Sequence, residues 1–186
     1  MKKLLFTVVT VLCFMSTQAQ EVRFGAKAGL NLANVTGEQN TKIKAGLLAG
    51  VLAEIKFSDQ LALQPEIVYS SQGAKSDNSD STLRLNYLNI PLMAKFYPME
   101  RLSLQAGPQI GFLMGAKAKT PFSTTDVKDN CKSVDFSLNL GLGYDFTENI
   151  FADARYNIGL SNFNDVKTNT EKYRNSVIQF SVGYKF

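Results

Sequence analysis

Apolar and polar residues alternate along most of the chain with a period of two, the signature of β-strands rather than helices. Phe24, Ala26, Ala28, Leu30 and Leu32 alternate with Gly25, Lys27, Gly29, Asn31 and Ala33. The alternation returns in seven further segments: Leu47 to Phe57, Leu61 to Tyr69, Leu88 to Phe96, Leu102 to Met114, Phe136 to Phe146, Ile150 to Leu160 and Ile178 to Phe186. Beyond the N-terminal segment, no stretch long enough for a stable helix carries helical periodicity. The pattern predicts an all-β chain of eight strands.

The composition of the two faces decides which one looks outward. The apolar faces hold no charged residue, whereas the opposite faces mix charges, amides and many glycines, among them Gly25, Gly29, Gly107, Gly141, Gly143 and Gly183. A solvated exterior has no need of so much glycine. A narrow lumen does, because small inward residues keep it from being overfilled. Apolar side out and polar side in is the arrangement of a barrel in lipid.

Connection lengths agree with this. Ser58-Asp59-Gln60, Pro98 to Arg101 and Thr147-Glu148-Asn149 are short, while Asn34 to Lys42, Ser71 to Thr82, Ala116 to Lys132 and Ser161 to Arg174 are long and polar. The expected fold is therefore a closed eight-stranded antiparallel up-and-down transmembrane β-barrel, with periplasmic turns and termini and extracellular loops. Phe57, Tyr69, Phe96, Tyr97, Tyr144, Phe146, Tyr184 and Phe186 fall near strand ends and read as interfacial girdles.

The first residues read Met1-Lys2-Lys3, an apolar run from Leu4 to Met15, and then Ser16-Thr17-Gln18-Ala19. A basic start, a short apolar core and small residues two apart predict a cleaved signal peptide over 1–19, leaving 20–186 as the barrel domain. The alternative, a membrane-anchoring helix, needs about 20 apolar residues. Cys13 falls within the removed segment and fits a lipoprotein acceptor poorly, so Cys131 is the single mature cysteine and no intrachain disulfide can form. Among polar neighbours, Cys131 is expected to face solvent.

Loss of Lys2 and Lys3 takes the formal charge from +4 to about +2, with basic residues scattered, so nucleic-acid binding has no support. The chain contains no histidine. Histidine-dependent triads and histidine metal sites are thereby excluded. No cofactor, metal or catalytic residue is expected.

The chain ends Phe180, Val182, Tyr184, Phe186 at alternate positions, resembling the terminal-strand signal that outer-membrane barrels present to their assembly machinery. Phe24 to Leu32, Leu63-Gln64-Pro65-Glu66, Asn89-Ile90-Pro91-Leu92 and Ala154 to Asn162 together resemble the PorT-type outer-membrane β-barrel family. That resemblance covers essentially the whole mature chain and implies an eight-stranded, OmpA/OmpX-like barrel without implying one activity. PorT itself is tied to a protein secretion system, and an accessory role of that kind stands as an alternative.

Inward positions carry Lys27, Glu54, Lys56, Glu66, Lys95, Asp135, Asp145, Asp153, Arg155 and Lys185, five acidic and five basic. Unpaired charge in a lumen of low dielectric is costly, so near balance predicts salt bridges. Glu54, Glu66, Lys95, Asp153 and Arg155 all lie close to the short turns and should share one layer. They read as a structural plug, with a gate or proton path as the alternative. Glu54 and Glu66 as an acid/base pair lack a cleft and a nucleophile.

Phe122, flanked by Ser and Thr, suits a surface contact, and Asp80-Ser81-Thr82 is a weak match to an O-glycan acceptor. The expected protein is a monomeric structural, adhesion or interaction barrel contacting membrane lipid, the assembly machinery and an unidentified envelope partner. A narrow channel for ions or small solutes is the second reading. A lipid-acting enzyme is the third, weakened by the missing histidine.

Overall fold

Alternating side chains can bury one face only if every strand finds two neighbours, and in lipid a sheet must also close on itself. The computed structural model of the chain does both; it describes residues 21–36, 41–76, 81–161 and 174–186. The segment expected to be a signal peptide lies outside the described residues, as does Asp80.

The elements in chain order are β1 (Glu21–Thr36), β2 (Thr41–Lys56), β3 (Leu61–Ser76), β4 (Thr82–Met99), β5 (Leu102–Lys119), a short β6 (Thr124–Asp126), a 3-10 turn (Lys128–Asn130), β7 (Val134–Asp145), β8 (Ile150–Gly159) and β9 (Arg174–Lys185). Each long strand pairs antiparallel with the next, and β1 pairs with β9 from Gly25↔Lys185 to Thr36↔Arg174. The ring of eight strands is closed. β6 is an addition to the edge of β5, where Lys117, Ala118 and Lys119 pair with Asp126, Thr125 and Thr124.

The facing follows the alternation. Phe24, Leu47, Val51, Leu142 and Val182 are exposed on the outside of the ring, while Asn31, Gln64, Ser70 and Asn139 are buried inside it. Ile55 shares the outer face but is covered between its cross-strand neighbours Val22 and Leu63. Connections over 57–60, 100–101 and 146–149 lie at one end of the barrel, and those that join β1 to β2, β3 to β4, β5 to β7 and β8 to β9 lie at the other.

Several expectations are corrected. β1 and β2 run to Thr36 and from Thr41, and β3 and β4 run to Ser76 and from Thr82, so residues expected in loops continue the ladders. Polar side chains do not end a strand whose backbone partner continues beside it. Tyr97 is not a girdle residue, because it follows Lys95 on the inner face and is only 4% exposed.

Cys131 does not simply face solvent either. It is half-buried against an apolar cluster of Val35, Ala74, Leu85, Tyr87, Leu113 and Ala116 that fills the interior at the long-loop end. The inner face is thus polar over most of its length and apolar near that end. A one-residue shift in the β4–β5 register, between Asn86↔Gly115 and Tyr87↔Leu113, leaves Met114 without a partner. The bulge reverses the facing of β5 beyond it, turning Ala116 inward and Lys117 outward.

Candidate functional site

Inward positions toward the short turns carry charge on seven of the eight long strands, and the ring brings those charges within reach of one another. Two clusters result. In the first, Glu54 of β2 receives Lys95 Nζ at 2.7 Å on Oε2 and Lys185 Nζ at 2.9 Å on Oε1. Lys185 also reaches Asp145 Oδ1 at 3.1 Å. The Tyr97 hydroxyl donates to Glu54 Oε2 at 3.0 Å, which explains why this ring points inward.

In the second cluster, Glu66 of β3 lies between Lys27 Nζ at 2.6 Å and Arg155 Nη1 at 2.8 Å. Arg155 Nη2 pairs with Asp153 Oδ2 at 2.9 Å, and Lys27 stands 3.9 Å from that same oxygen. Gln105 completes the cluster. Its Nε2 donates to Asp153 Oδ1 at 2.7 Å, and its Oε1 accepts from Arg155 Nε at 2.9 Å.

Gln64 joins the two clusters. Its Nε2 donates to Glu66 Oε1 at 2.6 Å while its Oε1 accepts from Lys95 Nζ at 3.2 Å. Four acids (Glu54, Glu66, Asp145, Asp153) therefore balance four bases (Lys27, Lys95, Arg155, Lys185) in one connected layer. All but Asp145 are almost fully buried. Removing one member of such a set strands its partner, at about 3–5 kcal/mol.

The space is shaped to the network. A Cβ on Gly143 would meet the Gln105 amide, the Ser103 hydroxyl and the Asp153 carboxylate, so glycine there lets these groups keep their places in the network. A Cβ on Gly183 would strike the Phe151 ring, itself 1% exposed. Phe151 and Tyr97 form an aromatic floor beneath the ammonium groups, with Lys185 Nζ 5.4 Å from the Phe151 centroid and Lys95 Nζ 5.3 Å from that of Tyr97. Such contacts offset part of the desolvation of a buried cation.

Above this layer the interior is mostly neutral and polar, with the buried Lys44 donating to the Gln72 carbonyl at 2.9 Å. Asn157 donates to Ser137 Oγ and Asn139 Oδ1, both at 2.9 Å, and Gln109 donates to Ser137 Oγ at 3.1 Å. Asn31 and Gln72 share the Ser70 hydroxyl from the other wall.

Glu54, Glu66, Lys95, Asp153 and Arg155 are brought together by the structure, with Lys27, Asp145 and Lys185 beside them. Two of the ten inward charges expected from the sequence stand apart. Lys56 is half-buried with Nζ 5.7 Å from the Tyr97 centroid, and Asp135 lies at the long-loop end, where Asn175 donates to it at 3.3 Å. Sequence reasoning missed Tyr97, Phe151 and the connecting role of Gln64. Phe151 had a signal, being a large apolar residue in the inward phase of β8, between Ile150 and Ala152.

Phe180, Val182, Tyr184 and Phe186 all lie on the outer face. The Phe186 N–H donates to the Phe24 carbonyl at 2.7 Å, extending the closing seam, and the Tyr184 and Phe186 rings sit 5.6 Å apart. Among the described residues no group of three or more His, Cys, Asp or Glu could hold a metal ion.

The chain matches the outer membrane protein beta-barrel domain family over residues 18–165. It belongs to that family. Its place is accordingly the outer membrane, and the proteins it resembles are outer-membrane barrels. None of the curated proteins matches it in sequence.

Among solved structures it resembles Neisserial surface protein A, NspA, at 17% identity and a TM-score of 0.59, covering 91% of this chain and 100% of that one. It also resembles Ail, the attachment invasion locus protein of Yersinia pestis, at 17% identity and a TM-score of 0.56, covering 89% and 99%. A major outer membrane protein from Thermus thermophilus matches at 12% identity and a TM-score of 0.50, covering 91% and 100%. At these identities the likeness is one of fold. The outer-membrane barrel of this family therefore has eight strands here, with the ionic layer built inside them.

Proposed function

We propose that this outer-membrane barrel is a non-enzymatic structural and interaction protein whose lumen is plugged, and which meets its surroundings through its long-loop end. The observation that carries the reading is the balanced eight-charge layer, which reaches across the lumen and joins strands that are not neighbours. An eight-stranded ring has room for little more than its own side chains. The apolar cluster at the other end supports a second closure.

In this reading residues 1–19 are a cleaved signal peptide, both termini are periplasmic and the long loops are extracellular. The barrel acts as a monomer, and Phe180, Val182, Tyr184 and Phe186 present the last strand to the assembly machinery. The motifs Leu63-Gln64-Pro65-Glu66 and Asn89-Ile90-Pro91-Leu92 support a place among PorT-type members. Phe122, 99% exposed beside Pro121 at the β5–β6 tip, supports an adhesive contact with an envelope or extracellular partner.

Conductance across a planar bilayer tests the plug. The folded barrel should give no steady openings, and Arg155→Ala should raise the frequency of transient ones. Steady openings of the native protein would favour the narrow channel instead.

A further inference from the structure

Cations gather on one outer wall of the barrel above its apolar band. Lys75 of β3, Arg84 of β4, and Lys117 and Lys119 of β5 are all exposed. Arg84 stands directly opposite Lys117, and Thr82 lies between Lys75 on one side and Lys119 on the other. Like charges directly opposed on a ladder destabilise it. Among the described residues none of the four makes an ion pair; Asp126, the cross-strand neighbour of Lys117, has one carboxylate oxygen bonded to the Lys128 N–H. Beneath them, the buried Lys44 lies within Coulomb reach of both Arg84 and Lys75 and adds to the positive field.

Their height is informative. Arg84 lies four residues beyond Leu88 and Lys75 six beyond Tyr69, the last large outward apolar residues on β4 and β3. At about 3.3 Å per residue and a tilt near 40°, these cations lie ~10–15 Å above the apolar band. Headgroups occupy the first ~5–8 Å above the hydrocarbon. Long Lys and Arg side chains can lean down into that layer while their stems stay against the wall. The opposite wall differs. Above its apolar band, β1 and β9 present Asn34 opposite Ser176 and Thr36 opposite Arg174, among the described residues a single cation where the β3–β5 wall carries four.

We propose that Lys75, Arg84, Lys117 and Lys119 form a lateral site for the phosphorylated headgroup of an outer-leaflet glycolipid. Guanidinium and ammonium groups on adjacent strands match phosphate oxygens, and a bound phosphate relieves the Arg84–Lys117 repulsion. The inference rests on the orientation proposed above, with long loops outside.

The mature chain refolded in zwitterionic micelles is titrated with diphosphoryl lipid A, with fully dephosphorylated lipid A, and with soluble inositol hexakisphosphate. Diphosphoryl lipid A should bind at least tenfold more tightly than the dephosphorylated form. The double variant Arg84→Gln, Lys117→Gln should lose at least tenfold in that affinity. A matched double variant elsewhere, Arg101→Gln with Lys132→Gln, should leave it unchanged. Gel mobility before and after boiling confirms that each variant folds.

Equal binding by native protein and the Arg84, Lys117 variant overturns the site. Tight binding of inositol hexakisphosphate without preference for the phosphorylated lipid overturns the lipid as its source. Orientation is read separately, by labelling Phe122→Cys on intact cells with an impermeant maleimide. No labelling overturns the orientation and the outer-leaflet assignment with it. Labelling together with equal lipid affinities overturns the site alone.

Discussion

Arg155 of β8 and Glu66 of β3 meet at 2.8 Å although three strands separate them around the ring. The contact crosses the lumen rather than following the sheet. Lys27 and Asp153, which flank it, hold the other ends of the same square of charge. Alanine at Arg155 therefore leaves two carboxylates short of a cation, whereas glutamine at Glu66 leaves an arginine that still has Asp153.

Arg155→Ala should lower stability by about 3–5 kcal/mol and Glu66→Gln by less. Combining them should cost less than the sum, because each removes part of what the other strands. Urea unfolding of barrels refolded in vesicles gives the three midpoints. A strictly additive pair would mean that the contact carries no coupling.

Tyr97→Phe keeps the ring under Lys95 and deletes the hydroxyl that reaches Glu54. A hydrogen bond to a charged group contributes about 1.5–3 kcal/mol. A loss of that size is expected in the same unfolding experiment, with the fold retained. No loss would show that the two lysines alone satisfy Glu54.

Gly183→Ala sets a methyl group against the Phe151 ring, and overpacking of this kind costs about 1–3 kcal/mol. Adding Phe151→Leu should restore part of the loss by making room. If the second substitution makes matters worse, the defect lies instead with the Ala26 carbonyl, the other atom the new Cβ approaches.

Ala106 faces outward between Ala94 and Leu140. Arginine there, in the middle of the apolar band, should cost about 2–4 kcal/mol and impair assembly, while Ala106→Ser should not. Unboiled gel mobility and the folded yield report the difference. Equal assembly of the two would reverse the assigned facing.

Burial pushes the Cys131 thiol above its usual range. At a given pH less of it is thiolate, the reactive form, so maleimide should label Cys131 more slowly than a cysteine placed at Phe122. The gap should narrow as pH rises. Comparable rates near neutral pH would mean that the thiol is not held against Leu113 and its neighbours.

The ring of eight strands was readable because a period of two survives in every long strand and the two faces differ so sharply, as in Ala106 beside Gly107. Co-location of Glu54, Glu66, Lys95, Asp153 and Arg155 was readable from their distance to the short turns. Pairing was not, because it depends on how far each strand is displaced along its neighbour. Tyr97 looked interfacial because a ring beside a turn suits either environment; only the Glu54 carboxylate decides. The inward apolar cluster was hidden by the Met114 bulge, beyond which the alternation of β5 changes phase.

The described strands are of unequal length, 18 residues in β4 and β5 against 10 in β8. The rim built by these strands is therefore stepped, a tall parapet on one flank and a low sill on the other. Among the described residues the parapet reaches furthest along the barrel axis. Mutations on β4 and β5 near the rim should accordingly alter encounters that equivalent changes on β8 leave untouched.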